Sequence, residues 1–169
     1  MDNLMFDGRQ QIVNSKILVI DDEQIIIDVI TAHLNVAGFW NVVGISDSID
    51  AVQRMKQENP DLVLLDISMP DVSGNYLIQI ARADPNLNTV PLIVVTASDS
   101  EDIHRRALEL GADEVLTKPL QPGVLVKRVE HALGRKLESD VSSLNQRQQR
   151  CKPANEKYNE LRGLGGRIL

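Results

Sequence analysis

Apolar residues fall along this chain in two alternating rhythms. Short, largely apolar runs at 16–20, 41–45, 61–65, 90–95 and 114–117 have the length and the branched side chains of buried strands. Between them, apolar residues recur at helical spacing. The first such stretch, 24–37, stops at Gly38. The second follows Asp47-Ser48, sets Ile49, Val52 and Met55 on one face, and ends before Pro60. A third covers 75–83 ahead of Asp84-Pro85, and a fourth covers 101–110 and closes on Gly111. The fifth follows Pro122, a residue suited to a first helical turn.

Strands alternating with amphipathic helices predict a parallel sheet covered on both faces. With a right-handed crossover in each unit, the expected fold is α/β: a doubly wound, five-stranded parallel sheet of the flavodoxin-like kind. Residues 1–13 are polar and expected to be loose, and 14–135 form the folded unit. After Gly134 the composition changes. Leu137, Val141, Leu144 and Cys151 keep nearly a heptad spacing, with Gln148 between, which predicts a helical connector over part of 136–169. Pro153 interrupts it, and 155–162 resembles the helical lead-in to a sensor or kinase module. The abrupt Ile168-Leu169 end reads as a cut from a longer protein.

Chemistry concentrates where the strands end. Asp21-Asp22-Glu23 follows the first strand and Asp66 the third, while Met69-Pro70 and Gly74 turn the chain. Thr96 closes the fourth strand and Lys118-Pro119 the fifth. Open α/β sheets place their sites at these carboxyl ends. Taken singly, each feature has a plainer meaning. The acid pair can cap a helix, Asp66 can bond loop amides, Thr96 can be a turn residue, and Lys118 can be a solvated surface lysine. Five of them in this order are specific.

In that order the chain resembles the receiver domain of response regulators, the phospho-accepting module of two-component signalling. The matching residues are Asp21, Asp22, Asp66 with Pro70 and Gly74, Thr96-Ala97 and Lys118-Pro119. The resemblance implies Mg²⁺ as cofactor, a hard ion suited to an oxygen-rich pocket. Its ligands would be Asp22 and Asp66 directly, the Ser68 backbone carbonyl, and Asp21 mostly through water. Asp66 would be the nucleophile that takes a phosphoryl group. Lys118 would offer an ammonium and Thr96 a hydroxyl to phosphoryl oxygens. The Lys118-Pro119 bond is expected to be cis, as in the family. Implied partners are a histidine kinase or phosphotransfer protein, with output to a second copy or a downstream domain. Such a protein is not an enzyme beyond self-phosphorylation from small donors and dephosphorylation of itself.

Val115 departs from the family, which usually carries an aromatic or His three residues before the lysine. A valine is stiff at χ1 and has no ring to bury, so a smaller rearrangement on phosphorylation is expected. Ser68 and Ser98 stand where the family flanks the path of the hydrolytic water. His33, His104 and His131 fall within helices, away from strand ends, and none opens a kinase-like phosphorylation motif.

Three other readings compete. A haloacid-dehalogenase-type phosphatase puts its nucleophile after the first strand and an acid two residues later, whereas here Asp66 follows the third and position 68 is Ser. A flavin carrier needs an amide-rich phosphate loop after the first strand, where Asp21-Asp22-Glu23 would repel phosphate. A receiver-like module that ignores phosphate would not need all five motif positions.

Composition narrows the setting. The 169 residues exceed one receiver and suffice for a real core. Neither a signal peptide nor an apolar run of the ~20 residues that spans a bilayer is apparent. The single Cys151 excludes an internal disulfide and fits a reducing, cytoplasmic location. Residues 1–133 hold 10 Lys/Arg against 20 Asp/Glu, while 134–169 hold 8 against 4. So acidic a globular part is not expected to bind nucleic acid directly.

Overall fold

The computed structural model describes residues 9–150, and their side chains to residue 146. The chain divides into two compact units, one ending at Lys136 and the other beginning at Leu137. In the first, a helical turn at 9–13 precedes five strands: β1 (Ile17–Ile20), β2 (Val42–Ile45), β3 (Leu62–Leu65), β4 (Leu92–Thr96) and β5 (Glu114–Thr117). The helices are α1 (Gln24–Val36), α2 (Ser48–Glu58), α3 (Gly74–Ala83), α4 (Glu101–Leu110) and α5 (Pro122–Arg150). All strand pairs are parallel and the order is β2-β1-β3-β4-β5, the doubly wound arrangement expected from the sequence. Among the described residues no helix is long and apolar enough to cross a membrane.

Strands β1, β3 and β4 are buried along their whole length because both sheet faces are covered. Alternate residues serve opposite cores. Leu18, Ile20, Val63, Leu65 and Val94 join Met55, Leu77, Ile78 and Ala107 from α2, α3 and α4. On the other face Ile17, Val19, Leu62 and Leu64 join Ile27, Ile30, Leu34, Leu125 and Val129 from α1 and α5. At roughly 1.5–3 kcal/mol for each large side chain removed from water, these two layers dominate the folding energy.

Several boundaries differ from the sequence reading, each for a local reason. β4 starts at Leu92, not residue 90, because Pro91 has no amide to give a ladder. It also takes in Thr96, so that hydroxyl belongs to the strand itself. α2 presents Ser48, Ala51 and Met55 to the core, and Ile49 is 65% exposed. The face expected from Ile49, Val52 and Met55 is therefore rotated by one position, with only Val52 and Met55 packing. α2 stops at Glu58 because Asn59, held before Pro60, adopts a left-handed conformation at φ 47°.

In the second unit the described residues continue α5, and Val141 and Leu144 are exposed on it. Cys151, Pro153 and the 155–162 segment of the sequence reading lie outside the described residues.

Candidate functional site

Parallel pairing carries the backbone ladder one step past each strand end. The Asp66 amide donates to the Ile20 carbonyl at 2.8 Å, and the Asp21 amide to that of Ile45 at 3.2 Å. The Lys118 amide donates to the Thr96 carbonyl at 2.7 Å. The acid pair after β1 and the acid after β3 are thereby set side by side, because β1 and β3 are neighbours in the sheet. One carboxylate oxygen from each of Asp21, Asp22 and Asp66 lies within 4.8 Å of the others.

Each acid sits in a different environment. Asp66 is 5% exposed, and Asp21 is 1% exposed. Asp22 faces solvent and, among the described residues, makes no hydrogen bond or ion pair. The Ser68 amide donates to Asp66 Oδ1 at 2.9 Å, and the Glu23 amide to Asp21 Oδ1 at 3.0 Å. Lys118 reaches in from the end of β5, its Nζ 2.7 Å from Asp21 Oδ2 and 3.1 Å from Asp66 Oδ2. The Lys118–Pro119 peptide is cis.

Electrostatics follow from this geometry. Burial pushes the Asp21 carboxyl above its ordinary value and the Asp66 charge adds to that, while Lys118 and the Glu23 amide pull the other way. Burial also opposes the charged form of Lys118, but its bonds to Asp21 and Asp66 outweigh burial and hold the ammonium above its ordinary value. Three carboxylates against one ammonium leave negative charge in excess. A hard divalent cation fits this donor set of closely spaced carboxylate oxygens. Asp21 also ties the turn into α1, whereas Glu23, at the N-cap, makes no side-chain cap bond. The acid pair is thus more than a helix cap.

Thr96 is fully buried at the end of β4, and its Oγ1 accepts from the Ser98 amide at 3.1 Å. Two contributors were missed from sequence. Buried Ser48, at the start of α2, donates from Oγ to the Pro70 carbonyl at 2.8 Å and steadies the loop after Asp66. A serine beginning a helix reads as a cap, so nothing local signalled that contact. His104 was expected away from any strand end, but its Nε2 reaches back 2.7 Å to the Ser98 carbonyl, two residues past β4. A six-residue separation between a loop and a helix carries no such signal by itself. His33 and His131 are partly buried and exposed, as expected for boundary and surface positions.

The chain is similar to known proteins in sequence and in fold. The family model described as the response regulator receiver domain matches residues 17–130. The alkaline phosphatase synthesis transcriptional regulatory protein PhoP of Bacillus subtilis strain 168 is 35% identical over 123 residues, 73% of this chain and 50% of PhoP. The chain spans about half the length of the curated relatives it matches. Among solved structures, the receiver domain of a Francisella response regulator is 31% identical, with a TM-score of 0.66 over 72% of this chain and 98% of that one. The receiver domain of a Pseudomonas aeruginosa PAO1 sensor histidine kinase, with magnesium coordinated in its active-site cleft, is 27% identical. Its TM-score is also 0.66, over 72% of this chain and 98% of that one. The matched length and the shared fold agree: this chain belongs to the response regulator receiver family of two-component signalling.

Proposed function

We propose that Asp66 is the phospho-acceptor of this receiver and works with a Mg²⁺ ion held by Asp21, Asp22, Asp66 and the Ser68 carbonyl. The observation that carries this reading is the convergence of three strand-end carboxylates and the Lys118 ammonium on one small pocket. A carboxylate attacking a phosphoryl group meets like charge, so the nucleophile needs neighbouring cations. When bound, the divalent ion supplies charge neutralisation and orients the phosphoryl oxygens.

The chain's own residues do the rest. The Asp66 oxygen forms a bond to phosphorus as the bond from phosphorus to the donor breaks, and the donor leaves with that electron pair. The donor atom is an imidazole nitrogen of a phosphohistidine, or the acetate oxygen of acetyl phosphate. Ser68 N–H steadies the carboxylate that attacks. Lys118 turns its ammonium from Asp21 and Asp66 to the incoming oxygens, and Thr96 donates its hydroxyl to another. In this reading the folded unit of 14–135 is a cytoplasmic phospho-acceptor and not an enzyme in its own right. A histidine kinase or phosphotransfer protein supplies it, and its output passes to a second copy or a downstream domain through the 136–169 connector.

Acetyl phosphate with Mg²⁺ tests the assignment. Wild-type protein should gain one phosphoryl mass, and Asp66→Asn, which keeps the shape without the nucleophilic charge, should gain none. Equal labelling of both proteins overturns it.

A further inference from the structure

We propose that His104 is a positioning residue for Thr96, holding the loop between β4 and α4 in its resting place. The proposal rests on the phospho-acceptor reading and concerns how that site is regulated. Ser98 is the link. Its amide donates to Thr96 Oγ1 at 3.1 Å, and its carbonyl receives His104 Nε2 at 2.7 Å. Its own Oγ accepts from the Ser100 amide at 3.2 Å, just before α4 begins. The His104 amide in turn donates to the Ser100 carbonyl at 3.1 Å. A carbonyl has no proton to give, so the imidazole carries its proton on Nε2. The site's hydroxyl, the loop and the second turn of α4 therefore form one hydrogen-bonded chain.

That chain bears on what Thr96 can do. Its hydroxyl now serves as acceptor for the Ser98 amide. Turning Oγ1 toward a phosphoryl group on Asp66 takes that acceptor away from a half-buried N–H, which then needs another partner. The loop can supply one only by moving, and the bond from His104 to the Ser98 carbonyl opposes movement. His104 thus favours the resting loop and works against phosphoryl recruitment of Thr96, with Ser98 as the go-between. The ring touches neither Asp66 nor Lys118 by hydrogen bond, so its influence on the site is indirect.

The test uses two variants of the whole chain. His104→Phe keeps a ring of similar bulk but cannot donate. His104→Gln loses the ring, yet its amide nitrogen reaches about as far from Cβ as Nε2 does. Amide exchange of Ser98 and Ser100 is read without ligand, and beryllofluoride uptake with Mg²⁺ is read by titration calorimetry. In His104→Phe both amides should exchange roughly fivefold faster, and beryllofluoride should bind roughly fivefold more tightly. His104→Gln should return both readings to near wild type. A residue that merely packs would give the opposite order, with Phe tolerated and Gln disruptive, and that result overturns the proposal. So does a His104→Phe variant that matches wild type in both readings. Failure of the wild-type protein to take up beryllofluoride instead overturns the phospho-acceptor reading, while the ligand-free exchange still reports on the His104 bond.

Discussion

A β-carbon placed on Gly74 would fall inside van der Waals contact with the carbonyl oxygen of Asp66. It would also stand 2.5 Å from Ile67 Cα. The first residue of α3 is therefore pressed against the backbone that carries the candidate acceptor, and that approach is possible only without a side chain.

Gly74→Ala should accordingly disturb both stability and site. The obstacles are backbone atoms, so relief requires α3 or the strand end to shift. The expected loss is about 1–3 kcal/mol of folding stability, the usual range for overpacking. Denaturant titration measures it, and phosphoryl loading from acetyl phosphate should slow in parallel. Wild-type stability in the variant would show that the loop yields freely.

Asp22→Asn should separate folding from metal binding. Asp22 is exposed and close to two other carboxylates, so removing its charge relieves repulsion. Stability in metal-free buffer should rise by about 0.5 kcal/mol, within the range of surface substitutions. The rise in melting temperature that Mg²⁺ gives the wild-type protein should disappear. A Mg²⁺-dependent shift of wild-type size would remove Asp22 from the ligand set.

Acid stability should depend on Asp61. Burial raises its carboxyl, but the Lys136 ammonium at 2.8 Å and the Lys16 amide at 2.9 Å outweigh burial and hold it below its ordinary value. A depressed folded value stabilises the protein above the unfolded value of about 3.9 and ceases to do so as pH falls through the folded one. Lys136→Met should let the carboxyl rise and cost about 0.5–1 kcal/mol near neutral pH, a modest figure because Asp61 is partly solvated. The gap between the two proteins should close as pH falls through the lowered folded value, below the unfolded one. Denaturation midpoints measured from pH 2 to 7 give the curve, and a gap that persists at pH 2 would point to packing instead.

Arg82→Lys should be a damaging conservative change. The guanidinium donates from Nε to the Gly111 carbonyl at 2.8 Å, from Nη1 to that of Val90 at 2.9 Å, and from Nη2 to Asp113 at 3.0 Å. It thereby ties α3 to the segment that precedes β4 and to the turn that precedes β5. An ammonium has no planar fork and cannot serve all three. A loss of about 2 kcal/mol is expected from charge-assisted bonds of this kind. Guanidinium titration decides it, and a midpoint equal to wild type would reduce the fork to ornament.

The elements and their order were legible in the linear chain. Four-residue strands such as 62–65, rich in Leu and Val, can be stable only between two helical layers, and Gly111 and Pro122 punctuate helices by backbone geometry alone. The acids, hydroxyl and lysine were legible too, because strand ends in such a sheet are where the chain must turn. What the sequence could not contain is proximity across those strands. Only parallel pairing of β1 with β3 brings Asp21 beside Asp66, and only the return of β5 beside β4 delivers Lys118 to both. The rotated face of α2, which exposes Ile49, was decided by packing against the sheet, since periodicity fixes a spacing but not a phase. Ser48 on Pro70 and His104 on Ser98 belong to the same class. Their partners lie in loops, and a loop takes its path from the tertiary contacts that hold it.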